Sequence, residues 1–492
     1  MADLIFASML DLLVLSGIVL LGIQAGRLMA PTATRMEAAA VSFPLGAGAL
    51  TFGVFLISWS GVPLRPMTVV GVWTALFGLV TAIQMVGRRA VKGLVDVSRS
   101  GNALAPMRPA RRAIWIGLAA IAILTLAISV GRSHTRWDAA AVWAAKGYGI
   151  AGEGTVFAAR QWGAHGLAYP LNIPLLISFF QLANHDLVPG SKMIFPLFFL
   201  STLVGIGSFW RRLAVPDGWV AAGIGVVATV PAIFEHATYG YANIPFASYV
   251  VLGSLWGSIG VARRSAPHAL VAGVLLAFAT WTRPEGMLYV LAVLAILLGS
   301  PLLVRPSRPL AARLVGPVAV VGCLWFSFYL LYGISGSQTG GAMASAIEGW
   351  KVGEFRLEDL RLILGYFRRS MLHLSVWGLL FPLSFVLIGV RLRKLLDRSS
   401  PEIGLTALAM LSTSVVTAGL FYVGSYTVDG LFAWLTRSFP RAYFPSAILL
   451  AALALAVTAA GRGDQDGDPA GGADGPSASG GPAEPGILSP AG

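Results

Sequence analysis

Long apolar runs separated by short arginine-bearing breaks fill the chain from residue 4 to residue 460. They recur near the length of about 20 residues that a helix needs to cross roughly 30 Å of hydrocarbon. Thirteen such segments stand out, at 4–26, 38–59, 68–86, 113–131, 190–210, 217–234, 244–262, 267–281, 286–304, 314–333, 371–390, 403–422 and 442–460. The pattern predicts an all-α polytopic membrane protein, a bundle of about 13 transmembrane helices. The first run follows MADLIF, which has no basic stretch, and is too long for a secretory core, so it reads as a retained helix. A further apolar stretch at 170–184, PLNIPLLISFFQLAN, is short and has two prolines near its start, and is expected to lie along the interface.

Charge then assigns the sides. With 170–184 not crossing, Arg27, Arg35, the basic loop 88–112, Arg211, Arg212, Arg263, Arg264, Arg305, Arg308, Arg313, Arg391, Arg393, Lys394, Arg398 and Arg462 share one side, 21 of the 35 basic residues. The positive-inside rule makes that side cytoplasmic, with the N-terminus outside and the C-terminus inside. Three loops, 132–189, 334–370 and 423–441, fall outside, the first with interfacial helices. Within 356–367, Leu357, Leu360, Leu364 and Phe367 form one helical stripe, suited to a helix on the membrane surface. From residue 461 the chain is Gly, Pro, Ala, Ser and Asp, too poor in apolar groups to offset ordering entropy, and is expected to be disordered. The chain thus divides into three N-terminal helices with a basic loop (1–112), a main membrane region (113–460) and a tail (461–492).

Composition agrees. Only 12% of the 492 residues are charged and 56% are hydrophobic, with mean hydropathy +0.75, against about 25% charged in soluble domains. The net charge of +13 would suggest nucleic acid, but the basic residues sit between apolar segments, where membrane orientation accounts for them and no nucleic-acid partner is needed. The basic residues are 30 Arg and 5 Lys, which with abundant Ala and Gly points to a GC-rich bacterial genome and a bacterial cytoplasmic membrane. The single cysteine, Cys323, lies in an apolar segment, excludes a disulfide scaffold and is expected to serve packing.

Polar groups within or beside spans are expensive and therefore functional candidates. Asp11 lies inside the first span and is expected to face the bundle. The others gather at the outer edge: Asp138, Lys146, His165 and Tyr169 in the first loop, Glu235, His236 and Asn243 at the next outer turn, Arg283 and Glu285 in WTRPEG, and Arg437 and Arg441 in LTRSFPRAYFP. In RWDAAAVWAAKGYGIAGEG, Asp138 is placed to cap a short helix ending near Gly147 and Gly149. On a regular helix Asp138 and Lys146 are about 12 Å apart, beyond an ion pair but able to address two ends of one molecule. The alternative is a surface helix with a capping Asp and a snorkelling Lys. Pro284 interrupts a long apolar stretch, so two half-helices are expected to meet at a polar pocket, or else the stretch makes a tight turn with an Arg/Glu pair.

Taken in order, WDAAAVWAAKG, AHGLAYPLNIPLL, TYGYANIPFA, ATWTRPEG and TRSFPRAYFP resemble membrane glycosyltransferases of the C-type fold (GT-C), in particular family 39-like bacterial enzymes, kin of protein O-mannosyltransferases and lipid A aminoarabinose transferase. The likeness spans roughly residues 113–460. It implies inverting transfer of a sugar from a polyprenyl-phosphate donor to a glycan, lipid or protein acceptor outside the membrane, with Asp138 as catalytic base. Lys146, Arg283, Arg441 and Arg437 would contact the donor phosphate, and Glu285, His165, Tyr169, Glu235, His236 and Asn243 the substrates. The chain departs from the family at Asn243, where many relatives have Asp, and at Arg283-Pro284, where Lys-Asn is commoner. With a carboxylate missing at 243, no metal or other cofactor is expected to be required. The loops support a lipid-borne donor independently: every cytoplasmic loop is about 25 residues or shorter, without a glycine-rich βαβ unit, so none can build a nucleotide-binding domain. A diphosphate-carrier ligase or polymerase is the next alternative. A lipid-linked sugar flippase is the other, although its repeated halves and paired broken helices are not evident here.

Overall fold

The computed structural model describes residues 2–91, 109–132, 134, 136–163, 165–185, 190–299, 306–333, 347–349, 354–396, 400–426 and 430–459. The tail from 461, most of the basic loop 88–112, Arg305, Arg398 and residues 334–346 of the second outer loop lie outside the described residues. The described residues are helical, with no strand among them. The described parts of the thirteen predicted apolar segments are mostly helical, but 217–234 is broken between two helices, 371–390 is broken at 372–373 and again at 378–379, and 300–304 lie outside the described residues. Seven helices are long and apolar enough to cross a membrane, and up to nine if two bent pairs each count as one. Four shorter apolar helices, Ile114–Val130, Ala266–Thr280, Gly286–Gly299 and Leu380–Val390, cover further predicted segments. Large apolar side chains such as Phe6, Leu13, Leu79, Ile123 and Val415 are exposed, as a protein surrounded by lipid rather than water requires.

The N-terminal helices are α1 (Ala2–Met29), α2 (Arg35–Trp59) and α3 (Pro66–Val91). A capping box starts α2: the Glu37 backbone N–H donates to Thr34 Oγ1 at 3.2 Å, and the Thr34 N–H donates to Glu37 Oε2 at 2.8 Å. Where α1 crosses α2, Gly22 faces Gly46, and a Cβ on either would run into the other helix's backbone. Such close approach is how helices associate in lipid, where burial from water supplies no driving force. α2 is largely enclosed and packs on α7 (Ile194–Arg212).

α4 (Pro109–Val130) leads into the long segment 132–189, which holds α5 (Ala145–Glu153) and α6 (Asn172–Asn184). α6 is the stretch expected along the interface. It sits inside the bundle instead, buried from Asn172 to Phe180 against α1, α2 and α5. It has no charged face to give to water, so enclosure on all sides suits it better than a surface.

After α7 come α8 (Asp217–Ala228) and α9 (Pro231–Tyr239), bent by 65° from each other, then α10 (Asn243–Ala262), α11 (Ala266–Thr280), α12 (Gly286–Gly299) and α13 (Arg308–Phe328). Prolines in the first turns of α9, α11 and α13 start these helices at no hydrogen-bond cost. Cys323, expected to pack inside, is exposed: the buried stripe of α13 runs through Leu310, Leu314, Val318, Val321, Trp325 and Phe328, on its other flank. Of the stripe expected within 356–367, α14 (Leu357–Met371) buries Phe367 together with Ile363, while Leu357 and Leu364 remain exposed. The chain ends in α15 (Leu380–Val390), α16 (Pro401–Gly424), α17 (Leu431–Ala442) and α18 (Phe444–Ala459), the last two bent by 48° at Tyr443.

Gly46→Leu is expected to push α1 from α2 and cost about 1–3 kcal/mol or more by overpacking. Gly78→Leu, with nothing within 4 Å of the added Cβ, is expected to be neutral. Thermal unfolding of the two purified variants in detergent checks the contrast.

Candidate functional site

Asp138 opens a π-helical turn, Asp138–Ala144, that continues into α5 and stops at Gly154 with φ +69°. This differs from the expected capped helix ending near Gly147 and Gly149. Asp138 makes no capping bond, because the backbone before it is already helical at Trp137. The two glycines serve packing: a Cβ on Gly147 would come within 2.7 Å of Ile177, and one on Gly149 would enter the Trp162 ring. Single π-turns recur at functional sites, and this one presents Asp138 to the far end of the chain. Its carboxylate accepts a hydrogen bond from Arg441 in a charge-assisted pair spanning 303 residues. Arg441 lies at the end of α17 beside the bend, donates to Ser438 Oγ at 3.2 Å and stands 6.0 Å over the Tyr241 ring.

Arg283 and Glu285 occupy the turn between α11 and α12 and pair at 2.6 Å, so this break is a tight Arg/Glu turn. Gly286 is required there, since a Cβ would strike the Ala279 carbonyl. Thr282, one residue earlier, accepts a hydrogen bond from Asn172 of α6 at 2.8 Å, and Asn172 accepts from Thr51 of α2 at 2.8 Å. Tyr169 lies in the field of Arg283, Glu285, Asp138 and Arg441 together, so three remote stretches of sequence converge on one place.

Lys146 completes the group. It is fully buried, its Nζ has no hydrogen-bond partner, and it lies 5.2 Å from the Tyr169 ring centroid. His165 stacks on the other aromatic neighbour of this corner, its ring 4.7 Å from that of Tyr169. Burial pushes the Lys146 amine down to about 7. Burial also lowers His165, with Lys146 adding to the shift and Asp138 opposing it. The Tyr169 hydroxyl is raised, chiefly by burial. His236 Nδ1 and Asn243 Nδ2 meet at 3.3 Å nearby, and Asn243 Oδ1 is buried without a partner. Arg437 and Glu235 stand apart: both are exposed and make no ion pair among the described residues. Tyr241, under Arg441, belongs to the site although its residue type alone carries no such signal.

Two ion pairs, Arg441 with Asp138 and Arg283 with Glu285, therefore stand around Tyr169, and Lys146 lies over the same ring as a third cation without a carboxylate partner among the described residues. No group of three or more metal-ligating side chains occurs among the described residues. Beside the site an apolar cavity of about 580 Å³, lined by Leu364, Phe367, Phe385, Leu411, Val415 and Tyr443 among others, lies between α14, α15 and α16. Tyr443 joins it to Arg441, two residues earlier. No family model, curated protein or solved structure matches the chain.

The Lys146 shift has a stability consequence of definite sign. Below pH 7 the folded chain holds a buried charge that the unfolded chain keeps in water. The penalty is full there and fades as pH rises from about 7 to the ordinary 10.5, since only the unfolded state then binds the proton. Lys146→Met is expected to raise the unfolding temperature at pH 6 and to lose that advantage by pH 10; parallel melts across this range measure it.

Proposed function

We propose that the protein is an inverting glycosyltransferase that moves a sugar from a polyprenyl-phosphate donor to an acceptor hydroxyl on the non-cytoplasmic side of a bacterial cytoplasmic membrane. The observation that carries this reading is the meeting of Asp138 with Arg441 and of Arg283 with Glu285 around Tyr169, over whose ring Lys146 stands, with an apolar cavity opening at Tyr443, two residues from Arg441. Such a site suits a molecule with a phosphate head and a hydrocarbon tail. The likeness of the site-bearing segments to GT-C enzymes supports the same chemistry. In the topology that goes with it, all thirteen apolar segments cross the membrane and the basic loops stay in the cytoplasm.

In this reading the Asp138 side chain is held by Arg441 until the donor arrives. The donor phosphate competes for the guanidinium, and Asp138 is released to take the acceptor hydroxyl proton. The acceptor oxygen attacks the anomeric carbon, the bond from that carbon to the phosphate oxygen breaks, and its electron pair stays on the phosphate. Arg441, Arg283 and Lys146 receive that charge. Lys146 gains a counter-ion only at this moment, which restores its protonated form at neutral pH.

Asp138→Asn is expected to lower sugar transfer by about 10²- to 10⁴-fold while leaving protein yield and donor binding nearly intact. Release of free polyprenyl phosphate in proteoliposomes supplied with donor and acceptor is the readout, and activity within about threefold of wild type would remove Asp138 as base.

The orientation is tested by single cysteines at two exposed sites, Gly152→Cys and Thr436→Cys, in a Cys323→Ala background. Both are expected to react with an impermeant thiol reagent in intact spheroplasts. Labelling restricted to inside-out vesicles reverses the topology.

A further inference from the structure

A second group of cations lies beside Tyr239, the neighbour of the Tyr241 ring over which Arg441 stands. Arg132 and Arg136, both exposed, stand 5.7 and 4.6 Å over the Tyr239 ring, and Arg136 donates to the Tyr239 hydroxyl at 3.1 Å. Behind them Lys192 is fully buried, and its Nζ has no hydrogen-bond partner. His134 is beside it, one ring nitrogen 3.3 Å from Ser191 Oγ and the other, Nδ1, without a partner. Both groups face Gly240, where φ is +88°: the position a Cβ would take is 3.0 Å from His134 Nδ1 and 3.3 Å from Lys192 Nζ. A side chain at 240 would close this corner.

None of the four makes an ion pair with a carboxylate among the described residues; Glu235 lies only within the field of Arg136. A buried ammonium without an anion costs several kcal/mol, and a basic cluster of this kind binds phosphate oxygens through charge-assisted hydrogen bonds. Two tyrosines link it to the Asp138–Arg441 pair: Tyr239, under Arg136, and Tyr241, under Arg441, meet edge to face with ring centroids 6.2 Å apart and planes inclined by 67°. Aromatic faces of this kind are apolar supports for a sugar ring lying between two charged ends.

We propose that Arg132, His134, Arg136 and Lys192 form a second anion site, linked to Arg441 through the Tyr239–Tyr241 contact, that takes a phosphate group carried by the sugar acceptor. The ligand's ownership by the acceptor rests on the proposed transferase function; the binding of phosphate does not. The acceptor would then be phosphorylated, its phosphate held beside Tyr239 while its hydroxyl reaches Asp138.

The test is equilibrium binding of radiolabelled inorganic phosphate to the full chain in phosphatidylcholine nanodiscs at low ionic strength. Wild type is expected to bind two phosphates. Arg132→Gln/Arg136→Gln is expected to weaken one of them about tenfold or more, and Arg441→Gln the other. Lys192→Met should act like the Arg132/Arg136 pair, and because those two arginines are exposed, their variant remains informative if Lys192→Met does not fold. A single phosphate in wild type that only Arg441→Gln weakens, or two that survive Arg132→Gln/Arg136→Gln, overturns the proposal. Repetition in nanodiscs containing phosphatidylglycerol separates the sources. Retention of the second phosphate supports a group on the acceptor, and its displacement there assigns the site to lipid headgroups and overturns the acceptor assignment. Loss of transfer in Asp138→Asn bears on the transferase reading alone and leaves these binding results standing.

Discussion

Asn172 is where the arrangement of the site is decided. With no water to satisfy it inside the bundle, its amide must find both a donor and an acceptor within the protein. It finds the Thr51 hydroxyl of α2 on one side and Thr282 on the other, each at 2.8 Å, while Trp281 Nε1 reaches Thr51 at 3.3 Å. These bonds bind an N-terminal helix, the loop helix α6 and the turn that carries Arg283 into one unit. A half-satisfied amide there would leave a buried polar group costing about 1–3 kcal/mol, so none of the three can shift alone. The N-terminal helices thereby help to set where the Arg283 cation stands.

Against this fixed frame the Asp138–Arg441 pair is the adjustable part. Its partners come from the π-turn and from the bent end of α17, neither held by a regular helix-to-helix ridge, and both side chains are partly exposed. An ion pair at such a position contributes little stability and can be opened by a competing anion without disturbing the core. Lys146 differs in being sealed beneath Tyr169. It cannot move toward water to keep its charge, so its protonation follows the occupancy of the site.

Much of this was legible in sequence. Apolar length and spacing located the helices, and the rarity of charge made each polar residue at a span edge informative; among those picked out in this way, Asp138 pairs with Arg441 and Arg283 with Glu285, while Lys146 stands over Tyr169. What pattern cannot convey is three-dimensional partnering. Asp138 followed by an apolar helix reads as a cap, yet the π-turn frees it for a residue 303 positions away. Residues 170–184 read as interfacial because they are short, whereas enclosure depends on neighbours that single-sequence periodicity does not name. Cys323 was misjudged for a related reason: on a helix apolar nearly all round, sequence fixes no single inward direction. Tyr239 and Tyr241 escaped notice because a tyrosine in an outer turn is ordinary until cations are found over its ring.

The two ends of the bundle handle their charges in opposite ways, and the contrast separates structural from functional polarity. At the end away from the site, Arg212 pairs with Glu37 at 2.6 Å, Arg263 with Glu402 at 2.8 Å and Arg211 with Asp217 at 3.3 Å, joining α2, α7, α8, α10 and α16. There, each of these buried or half-buried carboxylates has a cation, as packing in a low dielectric demands. At the site end Lys146 and Lys192 are both fully buried and neither has a hydrogen-bond partner. The same chain had carboxylates available and used them where only stability was at stake. Among the described residues neither sealed amine has a carboxylate partner, so an anion that reached either one would offset part of the cost of its burial.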